Sequence, residues 1–205
     1  MDLEPRDWSV VVVARWNLAI LTPAGIGKYV FGLPADVPME VLVPMDGLSP
    51  YIVRHPKDGI RAKTEQLRLL IEPEQMNYDT LDRAKQAAVC ALTLLPVTPV
   101  VAAGINVGFG SPEPLEEVLR LLDSDIDREL TDATFTVASR TVVRSLKHGD
   151  GLLNVSISVG EKGSRLLCNF HRQSDQHEHL RDWLGAPVAD IRSTVERLFG
   201  ALHTS

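Results

Sequence analysis

Apolar and polar residues alternate along this chain in two rhythms, one of period two and one near 3.6. Val10-Val11-Val12-Val13-Ala14 is a β-branched run that reads as a buried strand, and its apolar character permits continuation through Trp16 to Leu21. Thr22-Pro23 then supplies an N-cap and a first-turn proline for a short helix with Ile26, Val30 and Leu33 on one face, weakened by Gly25 and Gly27. Val37, Met39, Val41, Val43 and Met45 alternate with Pro38, Glu40, Leu42, Pro44 and Asp46. That period predicts one face in and one face out, and the prolines suit a sheet edge. Tyr51 to His55 and Ile60 to Lys63 flank the turn Pro56-Lys57-Asp58-Gly59, and Leu67, Leu69 and Ile71 form a further alternating segment.

Helical spacing takes over at Leu81, Ala84, Ala88, Leu92 and Leu95, capped by Asn77 or Asp79, with Asp82, Arg83 and Lys85 at the exposed start. Gln86 to Pro112 contains no charged residue and is long enough to cross a bilayer. Pro96 and Pro99 divide it into a helix ending near Leu95 and a strand from Pro99 to Phe109, so a membrane span is not expected. Both faces of that strand are apolar or small, which predicts a central position in a sheet. Ser111-Pro112-Glu113-Pro114 opens a helix with Leu115, Val118, Leu119 and Leu122 as its stripe.

The last third is the most legible. His148-Gly149-Asp150-Gly151 and Gly160-Glu161-Lys162-Gly163 separate three β-rich segments, 134–147, 152–159 and 165–171. A tight second turn sets Val159 opposite Ser164. Ile157 then faces Leu166, Val155 faces Cys168 and Leu153 faces Phe170. The other face pairs Ser158 with Arg165, Asn154 with Asn169 and Leu152 with His171. A slip of one residue would mix the two sets. At the first turn a two-residue loop would set Arg144 against Val155, so a longer loop or bulge is expected there. Ser174 or Asp175 caps a helix ending at Gly185, and Pro187 opens another with Val188, Ile191, Val195, Leu198 and Leu202 on one face. That stripe is expected to cover the apolar face of the meander.

These elements predict an α+β protein: mainly antiparallel β-sheet in two lobes, with helices packed on one face. Residues 1–110 form a β-rich lobe with one long helix. Residues 111–205 carry an acidic connector helix, the meander and two C-terminal helices, compatible with packing as a single domain.

Composition narrows the function classes. The 205 residues are 44% apolar, 5% aromatic and 23% charged, which excludes a disordered or collagenous chain. Lys+Arg of 21 against Asp+Glu of 27 gives −6, a balance that disfavours duplex nucleic acid as partner. Cys90 and Cys168 sit among apolar neighbours and read as free thiols of a reducing, cytoplasmic compartment. The acidic start Met1-Asp2-Leu3-Glu4-Pro5 is unlike a signal peptide.

Each motif that suggests chemistry lacks a required position. Thr22-Pro23-Ala24-Gly25-Ile26-Gly27-Lys28-Tyr29 approaches a phosphate loop, but Thr22 stands where glycine is needed and Tyr29 where a Mg²⁺-binding hydroxyl is needed. Gly104, Gly108 and Gly110 lack dinucleotide spacing, and the following helix opens on prolines with no N–H for a pyrophosphate. Asp123, Asp125 and Asp127 mimic a calcium loop whose glycine is replaced by Arg128 and whose bidentate glutamate is replaced by Thr134. His171, His177, His179, Asp175 and Glu178 are dense in ligand types. Yet His177 and His179 diverge on a helix, and Asp175 with Glu178 reads as a capping box. No metal and no cofactor is therefore expected, and no hydrolase triad assembles.

The leading expectation is a non-catalytic protein acting by self-association or as a subunit of a larger protein assembly, through strand edges and the acidic connector. The alternative is a small-molecule or anion-binding protein, or an enzyme, using Asn154, Arg165, Asn169 and His171 on the polar sheet face, joined there by Arg140 and Arg144. A further alternative is nucleic-acid association through Arg140, Arg144 and Arg165. Trp8, Trp16 and Trp183 read as core or interface anchors.

Overall fold

The computed structural model describes residues 3–46, 49–132 and 135–203, with 128, 130, 132 and 201–203 described in backbone only. Met1, Asp2 and Thr134, and the side chains of Arg128, Asp132 and Leu202, thus lie outside the described residues. In β1 (Glu4–Ala14), Val10 and Val12 are wholly buried, while Val11 and Val13 are half-buried on the opposite face. The strand stops at Ala14 and does not run on to Leu21. Asn17 turns the chain: its Oδ1 accepts from Ala19 N at 3.1 Å and its carbonyl from the Ile20 and Leu21 amides. α1 (Pro23–Tyr29) begins as expected, with Thr22 Oγ1 accepting from Gly25 N at 3.2 Å. Gly25 is no weakness, because a Cβ there would lie 1.8 Å from the Ile20 carbonyl oxygen.

The alternation across 37–46 yields only β2 (Glu40–Leu42), at the sheet edge that the prolines indicated. Of the predicted inward face, Val37 and Met39 are half-buried, Met39 against the core, while Val41, Val43 and Met45 are exposed. β3 (Ile52–His55), β4 (Ile60–Glu65) and β5 (Arg68–Pro73) follow as antiparallel neighbours. In α2 (Tyr78–Leu94), Asn77 is the cap, its Oδ1 accepting from Thr80 N at 3.0 Å. Leu81, Ala84, Ala88 and Leu92 are buried, but so is Lys85, which was expected at the exposed start and is 1% exposed. It stands four residues after Leu81 and three before Ala88, squarely on the apolar stripe.

β6 (Val100–Ser111) lies between β1 and β9 (Gly163–Gln173), the central position its composition predicts. The connector is two short helices, α3 (Glu116–Leu122) and α4 (Asp125–Asp132), not one helix opened by Ser111. Ser111 completes β6, and the Leu115 amide is taken by Ser164 Oγ at 2.8 Å. β7 (Ser139–His148), β8 (Gly151–Gly160) and β9 form the meander with the predicted register, including Val155↔Cys168 and Asn154↔Asn169. The first hairpin contradicts expectation: its loop is two residues, with His148↔Gly151 and Arg144↔Val155. Arg144 tolerates this because β7 is the last strand and its side chain is exposed, although α3 and α4 cover the strand at Val142 and Arg140.

α5 (His177–Gly185) starts after Gln176, and Ser174 Oγ accepts the Gln176 amide at 3.1 Å, so neither Ser174 nor Asp175 is the cap. α6 (Val188–His203) lays Ile191 and Val195, both buried, with half-buried Val188 and Leu198, on the core that contains Leu153, Leu166, Cys168 and Phe170. Ile157, half-buried, spans this core and a smaller one with Val118, Leu122 and Val159 under α3. Among the described residues the strands form one antiparallel sheet of nine, ordered β2-β3-β4-β5-β1-β6-β9-β8-β7, with helices on one side. The segments before and after residue 110 meet within it, because β6 pairs with β9 from Ala102↔Gln173 to Ser111↔Ser164. Among the described residues no helix is long and apolar enough to cross a membrane.

Candidate functional site

The face of the sheet away from the helices carries the predicted polar residues. Ser9, Asn106, Asn169, Asn154 and Ser145 are direct partners across five neighbouring strands. Their side chains form a continuous chain of hydrogen bonds. Ser145 Oγ donates to Asn154 Oδ1 (2.7 Å), and Asn154 Nδ2 to Asn169 Oδ1 (3.1 Å). Asn169 Nδ2 then donates to Asn106 Oδ1 (2.8 Å), and Asn106 Nδ2 to Ser9 Oγ (3.0 Å). With strands about 4.8 Å apart, this ladder runs about 19 Å. It ties the two halves of the sheet together, and each amide satisfies the next.

The four candidate binding residues therefore share a face but not a pocket. Asn154 and Asn169 direct hydrogen bonds at each other. Arg165 is exposed, with Nη2 3.1 Å from Asp7 Oδ2, beside a depression of about 600 Å³ also lined by Arg6 and Ser158. His171, six residues further along β9, lines a separate hollow of about 350 Å³ with Lys147 and Leu152. Arg140 and Arg144 do not join them. They pair with Val159 and Val155 and so occupy the helix-covered face, where Arg140 meets Asp127 Oδ2 at 2.5 Å. The three arginines of the nucleic-acid alternative are split between opposite faces.

Other chemistry-bearing groups are occupied or quenched. Both ring nitrogens of His177 meet backbone carbonyls, Leu92 O at 3.1 Å and Thr98 O at 2.6 Å, which fastens α5 to the end of α2. Both cysteines are free thiols. Burial pushes the Cys168 thiol up to about 12 and raises that of Cys90, so neither is poised as a nucleophile. Among the described residues, no three His, Cys, Asp or Glu side chains group as a metal centre.

The other feature on the surface is the β7 edge. It is ten residues long and ends the sheet, with Val143 56% and Leu146 45% exposed. It carries Arg140, Arg144 and Lys147 and no acid. An edge of this length offers a row of backbone donors and acceptors to another extended segment.

Sequence reasoning missed two cations under the helices, Lys85 and Arg172. The signal for Lys85 was its place in the stripe of α2, and for Arg172 its even step from Cys168 and Phe170. Lys85 Nζ donates to Ala186 O at 2.5 Å and lies 3.3 Å from Asp82 Oδ1. Burial lowers the Lys85 pKa from 10.5, with Asp82 opposing. The native pKa thus lies below the unfolded one, and between the two the unfolded chain binds more protons, so stability rises with pH across that window. Lys85→Met is expected to raise stability by about 1–2 kcal/mol at neutral pH. The gain shrinks as pH climbs towards 10.5. Urea unfolding at about pH 7 and about pH 10 measures both. A variant less stable than wild type at neutral pH would show that the lysine's two contacts outweigh its burial.

No family model matches the chain, and no curated protein matches it. Among solved structures it is similar to Methanococcus jannaschii TBP, with 9% identity and a TM-score of 0.33 over 100% of both chains. A likeness of that size carries no argument about this chain.

Proposed function

We propose that this protein is a non-catalytic, cytoplasmic subunit of a larger protein assembly, and that it docks a partner along β7. The observation that carries this reading is the long terminal strand with exposed Val143 and Leu146 set among cations. Two copies pairing through β7 would bring together two strands that carry cations and no acid, with Arg144 opposite Arg144 when the pair is centred there, and like charges across an antiparallel pair are destabilising. The charge pattern favours a different partner, one presenting an extended acidic segment that adds a strand to the sheet. The cytoplasmic placement rests on the two free thiols.

The test uses the full chain and two synthetic decapeptides, one alternating Glu with Val and one alternating Lys with Val. Hydrogen exchange is expected to slow at β7 amides with the acidic peptide only. Val143→Lys combined with Leu146→Lys is expected to remove the effect. Protection by neither peptide would overturn the reading, as would light scattering showing a dimer whose β7 amides are already protected.

A further inference from the structure

On the helix-covered side, opposite the amide ladder, the sheet does not meet the helices completely. A cavity of about 400 Å³ remains between the tip of the β7–β8 hairpin, β9, α5 and α6. That volume is within the range of small-molecule sites, roughly 300–1,000 Å³. Its floor is apolar: Ile105 and Phe170 are each 2% exposed, and Ile191 lies beside them. Trp183 forms one wall, and His148 stands edge-on to Phe170 with ring centroids 5.4 Å apart.

Charge is layered in this cavity. Lys85, 1% exposed, and Arg172, with a side chain 17% exposed, lie deep. Arg172 Nη1 donates to the Asp150 carbonyl and lies 3.3 Å from Asp150 Oδ2, and its Nε is buried without an acceptor. The carboxylates lining the cavity, Asp150, Asp182 and Asp190, are exposed at the rim. A contact with a buried cation is worth more than one with a solvated carboxylate, because water and salt screen the rim and not the floor.

We propose that this cavity is a binding site for a small organic carboxylate with a ring-sized apolar body. The ring lies between Trp183 and Phe170, and the carboxylate accepts from the Arg172 guanidinium with Lys85 nearby. The site is independent of β7 and of the four residues on the open face.

Titration of the full chain with benzoate and phenylacetate, followed by the ¹⁵N–H signal of the Trp183 indole, tests this. Both are expected to shift that signal saturably, with dissociation constants on the order of 1 mM or tighter. Benzamide, benzylamine and inorganic phosphate are expected to bind at least about tenfold weaker, each lacking either the anion or the ring. Arg172→Gln is expected to weaken the carboxylates about tenfold. If that variant does not fold, Ala186→Trp, at the exposed rim, is expected to close the mouth and abolish the shift. Benzylamine binding as tightly as benzoate would overturn the proposal, as would carboxylates that leave the Trp183 signal unmoved or an Ala186→Trp chain that binds them unchanged.

Discussion

Gly163→Ala is expected to lower stability by about 3–5 kcal/mol, combining backbone strain with a clash that the turn cannot relieve. Gly163 closes the β8–β9 hairpin at φ +100°, where L side chains are rare. An added Cβ would also lie 1.9 Å from the Ser111 carbonyl oxygen and 2.7 Å from the Pro112 carbonyl carbon. These are backbone atoms at the point where β6 leaves the sheet, so neither can swing aside as a side chain would. In a chain of this size the melting temperature is expected to fall by roughly 10 °C. Gly149→Ala is the matched control: its φ is +54°, but nothing lies within 4 Å of the added Cβ. There only the conformational cost of about 1 kcal/mol applies. Thermal unfolding of both variants by circular dichroism decides the matter. Equal shifts for the two would mean that the packing of the hairpin against β6 contributes nothing.

Trp8→Ala is expected to cost about 4–5 kcal/mol, the usual range for a large buried aromatic plus one stranded carbonyl. Trp8 is 2% exposed and sits in a bulge, where Arg6↔Gly108 gives way to Ser9↔Asn106 and Asp7 takes φ +57°. The bulge turns the indole beneath the sheet, where Nε1 donates to Gly108 O at 2.8 Å. The ring packs against Tyr78 and Phe109, with centroids 4.9 and 5.8 Å away. Trp8→Phe retains most of the aromatic surface and loses the hydrogen bond, so about 1–2 kcal/mol is expected. Guanidinium unfolding with unchanged m-values is the measurement. An alanine variant within about 1 kcal/mol of wild type would show that the bulge refills with another side chain.

The amide ladder shows how far a sequence pattern reaches. Asn154 facing Asn169 follows from alternation alone, because a one-residue slip would put Leu153 and Val155 into water. That Asn106 and Ser9 continue the same row could not be read, since it depends on β6 separating β1 from β9. The first hairpin failed for the opposite reason. Arg144 against Val155 looked like a conflict only on the assumption that every part of the sheet lies under helices, and at Arg144 the last strand is exposed. Lys85 was misplaced because its charge outweighed its position, although the spacing of Leu81, Ala84 and Ala88 already put it inside. The candidate site was legible as a face and not as a pocket: which residues point together is local, and which converge is not.

By itself, the sequence determined the α+β class, nearly every strand, the cap at Thr22, and the register of β8 against β9. All of these follow from side-chain periodicity and turn chemistry within a short stretch of chain. Only the tertiary structure decided that nine strands form one sheet, that the connector breaks into two helices, and that Lys85 and Arg172 border one cavity. Those outcomes depend on contacts between residues as far apart as Lys85 and Ala186, which no local pattern encodes.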